Sequence, residues 1–320
     1  MAVTMSVILL VFALFAWLYF YNQAQFKHAE KQYAPAGKFV TVDDCKIHYI
    51  SKGEGPPVVF LHGGILSSRD FEEAVDLAAE KGYRAIAFDR PGYGYSERPK
   101  SRGKVTPVTQ AEMIRQALKE IGVDEPIILV GHSWSGTMTL SYAIHYPEEV
   151  ADVVTVAAAM YKEGYPAEHG DLLSKLITTP VLGDFMLNTL LKTPLAKGMA
   201  SSMVKATFAP EEATNWYTEE VFALGFRPAH FKANREDVLA FPGTSFSLCG
   251  RYKEITVPVT ILVGEKDPFH TIEQGQRLKK DIPHAVYKEV PNIGHMIPEL
   301  HPEIVIESIN EISKKTASLK

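Results

Sequence analysis

The chain has 320 residues, 46% of them hydrophobic and 22% charged, enough to bury one large core and too apolar for an intrinsically disordered chain. Its net charge of -5 and the lack of a basic stripe exclude the electrostatic footprint of a nucleic-acid binder. The two cysteines, Cys45 and Cys249, supply neither a disulfide framework nor a metal-ligand spacing and read as buried or idle thiols.

The first twenty residues stand apart. Ala2 to Tyr21 contains no charged side chain, and twenty helical residues reach ~30 Å, the thickness of a bilayer's hydrocarbon core. Trp17, Tyr19 and Tyr21 gather at one end like an interfacial aromatic belt. A secretory signal would carry a basic leader and small residues before the cut, and Asn22-Gln23-Ala24-Gln25 makes a poor site. The expectation is a single-pass transmembrane anchor over residues 1–22, followed by a polar tether over 23–37 that Pro35 and Gly37 end. Lys27, Lys31 and Lys38 follow the span and no Lys or Arg precedes it, so the positive-inside bias predicts a catalytic domain facing the cytoplasm.

Next come Phe39–Val42 and Lys46–Ile50, joined by Asp43-Asp44-Cys45, the pattern of an antiparallel hairpin. Val58–Leu61 is a short apolar run of the kind buried on both faces of a parallel sheet, and it leads into His62-Gly63-Gly64. Phe71–Lys81 has helical spacing with Gly82 as a C-cap, before a strand at Arg84–Phe88. Thr109–Ile121 sets Ala111, Ile114, Leu118 and Ile121 on one helical face. The strand Ile127–Val130 then meets Gly131-His132-Ser133-Trp134-Ser135-Gly136, with a helix from Trp134 to Tyr146 stopped by Pro147 and a strand over Val150–Ala157. Strand and helix alternate, which implies a parallel sheet covered on both faces.

The junction at Ser133 carries the chemistry. A strand turning sharply into a helix at a serine flanked by small residues lifts the hydroxyl above the sheet. Gly131 meets that steric demand, and Ser135 stands where a second glycine is usual. Ser135 is itself the poorer nucleophile, because its flanking positions are Ser133 and β-branched Thr137. Two candidate partners follow along the chain, an aspartate and then a histidine. Val257–Val263 reads as a strand ending in Gly264-Glu265-Lys266-Asp267, and Ala285–Val290 as another running into Pro291-Asn292-Ile293-Gly294-His295. Asp267 and His295 thus sit past the C-terminal ends of strands, the edge where open α/β sheets place ligands. His295 is expected to take the proton of Ser133, and Asp267 to hold the imidazole. Glu265 is the rival acid. His270 lies too close to Asp267 to bring in a second strand end, His284 precedes its strand, and His132 packs under the turn. For the oxyanion hole the backbone N–H groups of Trp134 and Gly64 are the expected donors, with Ile65 as the fallback for Gly64 and His62 holding the loop.

These stretches, with Asp89-Arg90-Pro91-Gly92-Tyr93-Gly94-Tyr95-Ser96, resemble the α/β-hydrolase fold-1 family from about Lys38 to the C-terminus. The resemblance implies an α/β fold with a mostly parallel eight-stranded sheet, helices on both faces, and a helical cap over 160–250 inserted between core segments 38–159 and 251–320. It implies serine-hydrolase chemistry with no cofactor, and serine at position 133 argues against the epoxide hydrolases and haloalkane dehalogenases that carry aspartate there. The cap contains Met186, Met199, Met203, Phe208, Trp216, Phe222, Phe226 and Phe231. Most of these should pack the cap onto the core, and a few should line an apolar acyl pocket.

The expected activity is hydrolysis of carboxylic esters with an apolar acyl part, lipase- or carboxylesterase-like, with a small lipid-like ester and the bilayer as partners. The same triad would serve a C–C bond hydrolase, a lactonase or a perhydrolase. A C–C hydrolase would want cations in its pocket; Arg90, Arg227 and Arg251 are available but read as solvated surface charges. A non-catalytic receptor on the same fold would need none of the three triad residues.

Overall fold

The structure is a computed structural model that describes residues 2–99 and 103–318. Eight strands, β1 (Lys38–Val42), β2 (Cys45–Lys52), β3 (Pro57–Leu61), β4 (Arg84–Phe88), β5 (Ile127–His132), β6 (Val150–Val156), β7 (Val259–Gly264) and β8 (Val286–Val290), form one sheet in the order β1-β2-β4-β3-β5-β6-β7-β8. β2 pairs antiparallel with β1 and β4, and every other pairing is parallel. The strand runs are apolar at successive positions because both faces are covered. In β3, Val59 and Leu61 join the core on one face and Val58 and Phe60 the core on the other; in β5, Leu129 goes one way and Ile128 and Val130 the other. Each such side chain, wholly withdrawn from water, contributes ~1.5–3 kcal/mol.

The first face is covered by α3 (Pro107–Glu120), α4 (Ser135–His145) and α10 (Thr271–Asp281), and the second by α2 (Glu72–Glu80) and α11 (Pro302–Ser318). Thr106 begins α3 with a capping box, its hydroxyl accepting from the Thr109 N–H while the Thr109 hydroxyl accepts from the Thr106 N–H. Between β6 and β7 the alternation stops. Five helices follow, α5 (Leu172–Thr178), α6 (Leu182–Thr189), α7 (Pro194–Phe208), α8 (Asn215–Glu220) and α9 (Pro228–Leu248), with a third apolar cluster of their own. Phe208, Phe226 and Phe231 belong to that cluster, as the packing role predicts, while Trp216 is half exposed.

One expectation is corrected here. The segment expected to be a tether is helical: α1 runs unbroken over Ala2–Gln32. Its latter half is bound to the insertion, because Asn22, Phe26 and Ala29 recur on one face and are buried. Asn22 is fully buried; its amide donates to the Thr189 carbonyl and its oxygen accepts from the Lys192 N–H. Of the polar residues that suggested a linker, Lys27, His28 and Lys31 are exposed, while Gln23 and Glu30 bond Asn188 and Arg227 of the insertion.

Candidate active site

β5 delivers Ser133 at a strand-to-helix turn where the serine itself takes a positive φ of 53°, an uncommon conformation that a neighbouring bulky side chain would obstruct. A Cβ added to Gly131 would lie 2.0 Å from the Thr139 hydroxyl, so glycine is obligatory two positions before the serine. At the other flank Ser135 is not merely small. Its hydroxyl, fully buried, donates to the His62 carbonyl at 2.5 Å and so ties the turn to the loop after β3.

The loops after β7 and β8 bring Asp267 and His295 to the same rim. His295 Nε2 lies 3.0 Å from Ser133 Oγ, and His295 Nδ1 lies 2.7 Å from Asp267 Oδ2. The carboxylate can only accept, so Nδ1 carries the proton and the Nε2 lone pair faces the hydroxyl. Asp267 also accepts from the Thr271 hydroxyl at 2.6 Å and from the Phe269 N–H at 2.8 Å. Burial opposes its ionisation, but His295 and these two donors together outweigh burial and hold its pKa below the ordinary value. Glu265 points elsewhere, accepting from the Asn292 N–H. His270 is exposed at the start of α10, and His284 bonds the Val257 carbonyl. His132 lies under the turn. Burial, reinforced by His295, pushes its pKa down to about 3, and its neutral ring donates from Nε2 to the His295 carbonyl at 3.0 Å.

The loop after β3 faces this group. A Cβ on Gly63 would stand 3.0 Å from Ser133 Cβ and from His132 Nδ1, so a side chain there would have to push the turn aside. The Gly63 carbonyl accepts from Arg90 Nη2 at 2.8 Å, and the Gly64 carbonyl from Asn234 Nδ2 at 2.5 Å. Across a trans peptide the N–H points opposite to the C=O. The Gly64 N–H is therefore turned away from Arg90, and the Ile65 N–H away from Asn234. Neither these two groups nor the Trp134 N–H, beside the first turn of α4, donates to an acceptor among the described residues.

Arg90 corrects a second expectation. It is not a surface charge but wholly buried. It bonds the carbonyls of His62 and Gly63, pairs with Asp237 at 2.7 Å, and lies 4.1 and 4.2 Å from the centres of the Tyr93 and Trp134 rings. Asp237 belongs to α9 and is held from the other side by Arg98 at 2.8 Å. Arg227 is also buried, its guanidinium directed to the Gly94 carbonyl and to Glu30 of α1. Arg251 alone of the three is a surface residue, paired with Glu254. The sequence signal for Arg90 was present, since it lies inside the quoted loop after β4; its partner in α9 had none.

A cavity of about 180 Å³ opens over Ser133 and His295. The rim contributes Gly64, Ile65 and Trp134; the insertion contributes Met203 and Thr207 from α7 and Asn234, Arg235 and Val238 from α9; Phe269 and Met296 complete the walls. Of the expected pocket residues in the insertion, Met203 is the one that reaches it. Asp70 also lines the cavity. It is almost wholly buried, accepts from the Tyr217 hydroxyl at 2.8 Å, and burial pushes its pKa up to about 7. Among the described residues no cluster of His, Cys, Asp and Glu is arranged to hold a metal ion.

A mostly parallel eight-stranded sheet with a serine lifted at the β5 turn and a histidine and an aspartate on the same rim defines an α/β hydrolase. A family model described as the alpha/beta hydrolase fold matches residues 56–302, and the chain belongs to that family. The uncharacterized hydrolase YugF of Bacillus subtilis is 28% identical over 291 residues, which cover 88% of this chain and 98% of that protein. A 2-hydroxy-6-oxononadienedioate/2-hydroxy-6-oxononatrienedioate hydrolase of Paraburkholderia phymatum is 27% identical, covering 84% of this chain and 93% of its own. Among solved structures, an alpha/beta hydrolase fold protein from Burkholderia ambifaria superposes with a TM-score of 0.71 at 21% identity, over 87% of this chain and 97% of that one; this likeness concerns the fold.

Proposed function

We propose that the protein is a membrane-anchored serine hydrolase of carboxylic esters with an apolar acyl part. The observation that carries this reading is the continuous hydrogen-bond line from Ser133 Oγ through His295 to Asp267 at the floor of a largely apolar cavity. Ser133 attacks the carbonyl carbon while His295 Nε2 takes the hydroxyl proton. The charge that develops on the carbonyl oxygen is met by the N–H groups of Trp134 and Gly64. His295 then hands its proton to the departing alcohol, and water, activated by the same imidazole, releases the acid from Ser133. Asp267, kept ionised, fixes the tautomer and stabilises the imidazolium. Ser133→Ala should lose both ester turnover and labelling by a fluorophosphonate probe; undiminished labelling of that variant sinks the proposal.

A second reading, hydrolysis of a C–C bond in a ketodienoate, draws on the name of the Paraburkholderia relative and on Arg235 at the cavity wall. Arg235 already pairs with Asp171 and bonds the Asn234 side chain, which favours the ester. Faster turnover of a ring-fission ketodienoate than of any p-nitrophenyl ester would reverse the order.

The anchor is α1, long and apolar enough to cross a membrane, with its most apolar stretch unburied. The lysines that follow the span, with none before it, support a hydrolase domain on the cytoplasmic side. Protease treatment of right-side-out spheroplasts should leave that domain intact, and its digestion would reverse the orientation.

A further inference from the structure

Among the described residues, Val3 to Leu14 of α1 is exposed on every side, a stretch about 20 Å long against the ~30 Å of a hydrocarbon core. The remaining uncharged residues, Phe15 to Tyr21, must also lie within the membrane or its interface, and this part of α1 runs beside α6. The Phe15 and Phe185 rings are 5.0 Å apart, Asn22 bonds the Thr189 carbonyl, and Gln23 bonds the Asn188 side chain. Rising numbers in α1 meet broadly rising numbers in α6, so the two helices run in the same direction. The start of α6 is therefore raised along the anchor, toward the bilayer.

The surface at that start has the composition of a membrane-contacting one. Val181 is 81% exposed, and Leu182 and Phe185 more than 40%. No charged side chain lies between Lys175 and Asp184, and Asp184 is paired with Lys232 at 2.9 Å. The adjoining α5 adds Leu172 and Leu176, also exposed. A contiguous apolar surface of this kind is uncommon on a protein surrounded by water, and it continues the apolar surface of the anchor. On α7, Leu195 and Met199 are exposed while Met203 and Thr207, at the same four-residue spacing, line the cavity. An apolar stripe thus leads from the outer surface of the insertion to the reactive serine.

We infer that the start of α6 is a second membrane-contacting element, seated beside α1 in the leaflet nearest the hydrolase domain, so that the enzyme takes an ester dissolved in that leaflet. This rests on α1 being an anchor, and the test separates the two. Full-length protein carrying a nitrobenzoxadiazole probe at Val181→Cys, in a Cys249→Ser background, is reconstituted in phosphatidylcholine vesicles with and without bromine on the acyl chains. Bromine should quench the probe by about twofold or more, as for a group at the acyl boundary. The same probe at Asp124→Cys, before β5 at the opposite edge of the sheet, should be unaffected. Extraction with alkaline carbonate reports the anchor separately. Retention with an unquenched 181 probe overturns the docking and keeps the anchor, whereas release with an unquenched probe overturns both. Quenching with release supports the docking and removes the anchor. Covering of this surface by a second copy of the chain would leave the probe insensitive to bromine, which also overturns the inference. In a second measurement, Val181→Asp with Leu182→Asp should slow turnover of a vesicle-borne ester by about tenfold and leave a short water-soluble ester unchanged; equal rates of the double variant and the unsubstituted protein on the vesicle-borne ester count against it.

Discussion

On the rim of the sheet, Ser133, His295, Asp267, the His62–Gly64 loop and Arg90 are joined by buried hydrogen bonds that each specify one atom. Across the cavity, Met203 and Val238 offer apolar surface, and the outer face of the same insertion exposes Val181, Leu182 and Leu195. Hydrogen bonds are directional and fix reacting atoms to a fraction of an ångström, as proton transfer demands. Apolar contacts scale with area and tolerate variation, as suits an acyl chain or a lipid surface. The two regions are coupled at few points. Asp237 and Asn234 of α9 reach down to Arg90 and to the Gly64 carbonyl, so the insertion helps to hold the loop that carries the proposed oxyanion donor.

The largest effect should come from breaking the rim. Asp267→Asn is expected to lower kcat on the order of 10⁴-fold, by favouring the wrong imidazole tautomer, while Glu265→Gln leaves kcat near its original value. Steady-state kinetics on a p-nitrophenyl ester decides this, and a large loss in Glu265→Gln with little in Asp267→Asn would move the acid to Glu265.

Next in size is the coupling between the regions. Arg90→Met should reduce kcat about 10–100-fold with little change in KM, since the Gly63 carbonyl loses its strongest anchor and the Gly64 donor is no longer held for the developing charge. Arg98 still pairs with Asp237, so the variant should fold, as circular dichroism can verify. A rise in KM at constant kcat would make Arg90 a determinant of ground-state binding instead.

The smallest effect concerns stability. Asp70 in the cavity wall, with Glu220 and Glu299 nearby, is protonated more readily than usual: burial pushes Asp70 and Glu220 to about 7, outweighing Arg69 beside Glu220, and Glu299 to about 8. The folded chain keeps these protons where the unfolded chain has released them, so their contribution falls as pH rises from about 4 to about 8. Burial holds His132 and His230 near 3, and these act oppositely, but only below about 6.5, the ordinary value for histidine. Between pH 6.5 and 8 Asp152, also pushed up to about 7 by burial, adds to this fall, while Lys192, which burial lowers to about 7, opposes it, and Tm should drop by roughly 1–4 °C. Asp70→Asn should flatten that slope; calorimetry at the two pH values reads it, and an unchanged slope removes Asp70 from the account.

The legible parts of this protein share one property: their signal is local. Short apolar runs marked β3 to β7 because each strand is covered on both faces by its own length of chain. Gly131 and Ser133 marked the turn because the steric demand lies within a few residues. The loop positions of Asp267 and His295 followed from the strand before each. What stayed hidden depended on a distant partner. Arg90 and Arg227 looked like surface charges because Asp237 and Gly94 come from remote segments. Residues 23–32 looked like a tether because the surface that buries Asn22, Phe26 and Ala29 belongs to an insertion more than 150 residues further along.

The amino-acid order by itself determined the strand-and-helix alternation, the uncharged N-terminal stretch and the identity of the serine, aspartate and histidine that the strand ends could carry. Tertiary structure alone decided that these three meet within hydrogen-bonding distance, that Arg90 is the buried tie between loop and insertion, and that α6 stands beside the apolar part of α1. Periodicity and steric demand act over a few residues and are written along the chain, whereas burial and pairing are set by which distant surfaces come together on folding.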